Sequence, residues 1–463
     1  MKNKIKYLSL FIIIALMFAG CEDRTDLLAP PAPSPKSGNA DLTTYVAIGN
    51  TLTAGYESSA LYESAQVYSY PNQIAQQVGA TFVQPLIADP GIGGQIKIVS
   101  LDPFVTKTEP VQGGAPLNLT YPYPYNNLGI PGVVLADVMN STSTTGSYSN
   151  SPFIDLILRG HGTQFAQAKA LHPTFITLWI GYNDVLGFAA SGGANPSSPT
   201  DANTFAFLFS QLADSLAATG ANVVVANIPS VTATPFFTAV GPGFAQMLSA
   251  AKVAGFYYQD HNFAPQVGTP GQLTNYSMLL TLVSQSYLAD FGKPSGRFYA
   301  DHGLNPALLG VDTTKPFGAS PLNPIPNALI LDASEIQTAA TAISNFNNTI
   351  SGIATAKGWG LVDINTFFNN IVMNGITENG IHFTTAFVTG GLFSLDGVHP
   401  TAQGQAILAN EFIKVINSKF GSSYSQIDVS TIPGSIGFAK KVSINFADKN
   451  TYIDPTFKKY LMF

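Results

Sequence analysis

The chain has 463 residues, of which 46% are hydrophobic and only 10% charged, against a usual charged share of about 25%; that composition excludes a disordered polypeptide and supplies a sizeable core. Lysine and arginine number 21 and aspartate and glutamate 27, a net charge of −6, so no basic excess is available to neutralise a phosphate backbone and nucleic acid is not an expected partner. At roughly 100–200 residues per domain, the length allows two to four domains or one large domain with insertions.

Three lysines, Lys2, Lys4 and Lys6, precede the apolar run from Leu8 to Ala19, which ends in Phe18-Ala19-Gly20-Cys21. A charged start, an apolar stretch and small residues before a cysteine resemble a bacterial lipoprotein signal. The resemblance implies that residues 1–20 are removed, that Cys21 is lipidated, and that acyl chains hold the protein to a membrane of the bacterial envelope, with the outer membrane expected. Cys21 is the only cysteine, so no intramolecular disulfide and no cysteine-based metal cluster can form. No later run reaches 18 apolar residues, the length a spanning helix needs. Residues 21–41 carry Pro30, Pro31, Pro33 and Pro35 among serines and alanines and read as an extended tether.

The expected folded region runs from 42 to 420. It opens with Thr43-Thr44-Tyr45-Val46-Ala47-Ile48, a β-branched and apolar run stopped by Gly49, the pattern of a buried parallel strand. Further strands are predicted at Thr174 to Ile180, Asn222 to Ile228 and Gly360 to Ile364. Helices are predicted at Pro71 to Val78, Pro131 to Met139, Thr204 to Ala218, Ser334 to Lys357 and Thr401 to Phe420. The alternation predicts an α/β fold with a mainly parallel sheet covered on both faces, where ligands bind beyond the carboxyl ends of the strands. Two stretches break the rhythm: 89–127, rich in Gly, Pro and Tyr, and 229–332, rich in Pro, Phe and Tyr. They read as insertions or long loops around a site. The extension 421–463 shows one candidate strand, Val442 to Phe446.

Chemistry-bearing residues cluster in four blocks. Gly49-Asn50-Thr51-Leu52 follows the first strand as a tight turn with a hydroxyl at its tip. Asn127-Leu128-Gly129 and Gly181-Tyr182-Asn183-Asp184 supply a backbone amide and a side-chain amide, the donors an oxyanion hole requires. Leu395-Asp396-Gly397-Val398-His399-Pro400 precedes the last helix, and its three-residue spacing lets a carboxylate reach an imidazole.

In this order, the four blocks resemble the SGNH, or GDSL-type, hydrolases, a family of esterases and lipases, from Tyr45 to about Ile416. The resemblance implies a three-layer α/β/α sandwich of flavodoxin-like type carrying long insertions. It implies Thr51, Asp396 and His399 as the catalytic residues, and Thr51, Gly129 and Asn183 as the oxyanion hole. No cofactor or metal is implied. The expected partners are a small-molecule, glycan or lipid ester and, through the anchor, a membrane. Two positions depart from the family's Gly-Asp-Ser-Leu turn, which reads Asn50-Thr51 here. The β-methyl of threonine restricts χ1 and crowds the path of attack, whereas an asparagine still serves a turn.

His161, His172, His261, His302 and His382 show no zinc-binding spacing. The clusters Tyr62, Tyr68, Tyr70 and Tyr121, Tyr123, Tyr125 flank the first and second blocks, where rings stack on a sugar, line an acyl pocket or pack in the core. Two functions remain: an envelope-anchored hydrolase of acyl or acetyl esters of lipid or carbohydrate, and a catalytically silent lipoprotein that binds a glycan or lipid on the same fold.

Overall fold

The computed structural model describes residues 36–102, 104–195 and 199–434. The signal segment, Cys21, nearly all of the tether and the candidate strand at Val442 to Phe446 lie outside the described residues.

Five strands form one sheet: β1 (Tyr45–Gly49), β2 (Asn127–Gly129), β3 (Phe175–Trp179), β4 (Asn222–Ala226) and β5 (Gly360–Val362), in the order β5-β4-β3-β1-β2. All four pairings are parallel. Every residue of β1 and β3 is buried, as their largely apolar character requires of strands covered on both faces. β2 escaped sequence reading because it has only three residues, two of them Asn and Gly. It forms as an edge strand against β1, with Ile48 opposite Leu128.

The helices are α1 (Thr51–Ala54), α2 (Tyr70–Val78), α3 (Gln164–Ala170), α4 (Asn183–Ala190), α5 (Ala202–Ala217), α6 (Val240–Ala250), α7 (Ala333–Ala356), α8 (Ile364–Asn374) and α9 (Ala402–Phe420), and all but α6 flank the sheet. Their starts follow from capping residues. Asp201 accepts from the amides of Asn203 and Thr204, Thr401 accepts from Gly404, and Asp332 forms a reciprocal capping box with Glu335. On one side, Tyr70 of α2 stacks on Phe412 of α9 at 4.6 Å and meets Trp179 of β3 edge-on at 5.6 Å. On another, Phe205 of α5 stacks on Phe346 of α7 at 3.9 Å. The sheet's apolar residues join both groups into one core. The result is an α/β fold with a five-stranded parallel sheet flanked by helices, compatible with three layers.

Local pattern yields to tertiary structure at several points. Residues 131–139 do not form a helix; only Asp137–Asn140 makes a single turn, because the amides before it bond to side chains, Gly132 to Thr51 and Leu135 to Asp184. Of the two forms expected for residues 229–332, insertion or long loop, an insertion is found: α6 and the antiparallel pair Phe256–Gln259 and Pro265–Gly268 enclose a second apolar core around Phe244, Phe256, Leu273 and Phe298. In the stretch 89–127, Ile96–Leu101 pairs antiparallel with Phe104–Thr108. The chain is fixed from Ser37 rather than from 42, since the Asn39 amide bonds to the carbonyl of Phe420 at 2.7 Å. The extension is likewise docked in its described part, where Asn410 of α9 bonds Ile427 through both amide and carbonyl.

Phe346 is fully buried against Phe205, so Phe346→Ala is expected to lower the unfolding free energy by about 3–5 kcal/mol through lost burial and the cavity left behind. Urea titration monitored by circular dichroism measures it; a loss under 1 kcal/mol would show that α5 and α7 do not depend on this contact.

Candidate functional site

β1 ends at Gly49, and Asn50 caps the one-turn helix α1 by accepting from the Leu52 amide at 3.3 Å. That cap places Thr51 at the first helical position, at the carboxyl end of the sheet, with 5% of its surface exposed. Two donors converge on its hydroxyl oxygen: the Gly132 amide at 3.1 Å and the Asn183 side-chain amide at 3.3 Å. The same Asn183 nitrogen donates to the Val133 carbonyl at 3.0 Å, which fixes the amide plane and aims its second hydrogen at Thr51.

The loop that presents Gly132 is held at several points. Gly132 sits at φ +83°, a conformation that favours glycine. The Ser151 hydroxyl donates to the Pro131 carbonyl, and Asp184, one residue beyond Asn183, accepts from the Leu135 amide at 2.9 Å and from the Thr200 hydroxyl at 2.8 Å. Thus α4 carries both the amide that meets Thr51 and the carboxyl that steadies the facing loop. The amide of Gly129, expected as an oxyanion donor, donates to the Asn127 side chain at 2.9 Å, and a Cβ at Gly129 would stand 2.4 Å from the Ala54 nitrogen of α1. Gly132, three residues on, is the glycine whose amide reaches the hydroxyl.

Asp396 and His399 lie in the loop before α9 and are 8% and 9% exposed. One carboxylate oxygen of Asp396 accepts from the amides of Val398 at 2.9 Å and His399 at 2.8 Å. The other accepts from the Ser59 amide at 2.8 Å and from His399 Nδ1 at 2.9 Å. Burial raises the Asp396 pKa, but the His399 charge and these donors outweigh it and hold the carboxyl down at about 2. With Nδ1 donating to Asp396, the lone pair of the neutral ring lies on Nε2.

Nε2 is buried and has no hydrogen-bond partner among the described residues. No hydrogen bond joins Thr51 to His399; the Thr51 hydroxyl oxygen accepts from Gly132 and Asn183. The link between the two blocks runs through Tyr56, whose amide bonds to the Thr51 carbonyl at 3.3 Å and whose ring meets the His399 ring edge-on at 5.0 Å.

Three side chains that sequence reading passed over position these blocks. Gln164 of α3 donates to the carbonyls of Gly49 and Leu128, tying the ends of β1 and β2. Gln405 of α9 donates to the Leu52 carbonyl at 3.2 Å and accepts from the Tyr70 amide at 3.0 Å. Asp184 is the third; it adjoins Asn183 in sequence, whereas nothing in sequence distinguishes a buried helical glutamine from an exposed one. The tyrosine clusters are largely structural. Tyr62, Tyr70 and Tyr125 are buried, and Arg159 lies over the Tyr125 ring at 4.1 Å. His302 bonds to the Phe298 carbonyl at the end of a short helix. Among the described residues, no group of three His, Cys, Asp or Glu side chains is placed to hold a metal ion, and no helix is long and apolar enough to cross a membrane.

No protein-family model matches the chain, and no curated protein matches it.

Burial raises the Asp184 pKa from 3.8 to about 6, against the pull of the Leu135 and Thr200 bonds. The folded protein therefore holds a proton that the unfolded chain releases between these values, and stability falls as pH rises through that window. Burial of Glu335, raised to about 7, acts in the same sense, whereas the Asp396 contribution is lost only below about pH 4. From pH 4.5 to 6, Asp184 alone is expected to remove about 1.5 kcal/mol. Urea unfolding at the two pH values, at constant ionic strength, checks this; equal or higher stability at pH 6 would contradict a protonated Asp184.

Proposed function

We propose that the protein is an envelope-anchored ester hydrolase of the SGNH, or GDSL-type, family, acting on acyl or acetyl esters of lipid or carbohydrate. The observation that carries this reading is the pair of converging donors, Gly132 N–H and Asn183 Nδ2, on the buried Thr51 hydroxyl. A buried carboxylate–imidazole pair with an unpartnered Nε2 supports it. The strand order and the order of the four blocks along the chain support the family.

The proposed reaction uses these groups in turn. Rotation about χ1 turns the Thr51 hydroxyl from its two donors toward His399, whose Nε2 takes the proton as the oxygen attacks the ester carbonyl. The carbonyl oxygen then occupies the position the hydroxyl vacates, and its developing charge meets the Gly132 and Asn183 donors. Asp396, ionised throughout the neutral range, holds the Nδ1–H tautomer and stabilises the imidazolium. The imidazolium returns the proton to the leaving alkoxide. Water, deprotonated by the same Nε2, releases the acid and restores Thr51. Apart from the ester and water, every step uses groups of this chain.

The silent binding reading draws on one observation, the Thr51 hydroxyl bonded away from His399. Hydrolysis of p-nitrophenyl acetate and butyrate separates the two. The hydrolase predicts wild-type turnover above Thr51→Ala and His399→Ala, a gain in Thr51→Ser from the missing methyl, and a loss of about 100- to 1,000-fold in Asn183→Ala. Wild type no faster than Thr51→Ala, with Thr51→Ser no better, would leave the binding reading.

Anchoring through Cys21 predicts that Cys21→Ala moves the protein from the membrane to the soluble fraction, since acyl chains supply the attachment. Membrane association unchanged by the substitution would refute the lipid anchor.

A further inference from the structure

A groove of about 740 Å³ opens beside His399. One wall is the Asp396–His399 loop with Tyr56; the other walls come from both insertions. In the first, the alternation of a strand sets the lining. Ile96 and Thr106 face the groove, while Lys97 and Lys107, paired directly across the two strands, are not part of it and bond to Glu109. Ile98, on the same face as Ile96, packs on Leu395, next to Asp396. In the second insertion, Leu282 and Val283 face the groove, and Phe236 closes it from the side, its amide bonded to the Gly397 carbonyl at 2.9 Å.

The lining carries no lysine or arginine, so it offers nothing to a phosphate or carboxylate headgroup. Its one charged side chain, Asp396, is already engaged by four N–H donors. The polar atoms that remain are a few hydroxyls and the Gln285 amide, too few to satisfy the many hydroxyls of a sugar, which desolvation would otherwise penalise. What the walls do offer is aliphatic and aromatic surface, from Ile96, Phe104, Phe236, Leu282, Val283 and Leu395, beside the His399 ring. We propose that this groove is a hydrocarbon-chain site, taking the aliphatic arm of an uncharged ester. The proposal rests on the hydrolase reading for the identity of the ester, while the groove itself is tested by binding. The two insertions then act as the specificity elements, grafted on the sheet to build a chain-length-sensitive channel at the imidazole.

Straight-chain 1-alkanols from butanol to decanol are the probes, titrated calorimetrically into the full chain carrying Cys21→Ala. Affinity is expected to rise by up to about fourfold per methylene, and glucose to show no saturable binding. Val283 and Thr106 are exposed, so Val283→Glu and Thr106→Lys place charge in the groove without disturbing the core; both are expected to flatten the chain-length dependence. A wild-type affinity independent of chain length, or an unchanged dependence in both variants, overturns the proposal. Hydrolysis of p-nitrophenyl esters of increasing acyl length and of acetates of increasing alcohol length then shows which arm the groove holds, since kcat/KM rises along one series. Turnover flat along both series overturns the groove and leaves the hydrolase standing. Chain-length-dependent alkanol binding without any turnover supports the groove and overturns the hydrolase.

Discussion

The carboxylate of Asp396 is the interaction on which the site depends. It is buried, its two oxygens accept four N–H donors, and one of those donors, Ser59, lies 337 residues away at the other end of the domain. Removing a charge from water without such partners would cost several kcal/mol; with them, the carboxyl stays ionised and ties the loop before α9 to the loop after α1. The neighbouring bonds between Ser58 and both Ser394 and Leu395 reinforce the same seam. Closure of this seam sets the His399 ring, its tautomer and the orientation of Nε2 together.

The sheet supplies the second constraint. β1 and β2 end side by side, clamped by Gln164, and β3 leads directly through Gly181 into α4. The hydroxyl, the loop amide and the side-chain amide thus issue from adjacent strand ends, the place where parallel sheets bring their loops together. Asn183 and Asp184 divide the work of one helical start: the first meets Thr51, and the second steadies the loop that carries Gly132. The groove residues, by contrast, come from segments that add nothing to the sheet. Substrate choice on such a scaffold is free to vary with the insertions while the donor geometry stays fixed.

Much of the sheet and its helices was legible before the structure because local signals agreed with the final packing. β1, β3 and β4 are mostly apolar runs, broken only by Thr177 in β3 and Asn222 at the start of β4, and α5, α7 and α9 begin at Asp201, Asp332 and Thr401, residues whose side chains cap them. Reading failed where tertiary bonds overrode local pattern. Residues 131–139 carry a helical pattern but surrender their amides to Thr51 and Asp184. The core around Phe244 and Phe298 is assembled from aromatic residues scattered without periodicity. At the site, Thr51, Asn183, Asp396 and His399 were named from sequence, whereas Gly132, whose amide reaches the Thr51 hydroxyl, was not. Two glycines in one short segment offer no sequence signal to tell the one that admits a neighbouring backbone, Gly129, from the one that frees an amide, Gly132. The two donors on the Thr51 hydroxyl oxygen, one from a loop amide and one from a helical side chain, were beyond any sequence pattern.

The central claim is that the Thr51 hydroxyl is a nucleophile activated by His399. Treatment with a fluorophosphonate, followed by proteolysis and mass spectrometry, tests it most directly, because a stable phosphonyl adduct marks the attacking oxygen itself. The account predicts one adduct, on Thr51, formed faster in Thr51→Ser and lost in His399→Ala. Labelling elsewhere, or labelling of Thr51 at the same rate without the imidazole, would contradict it.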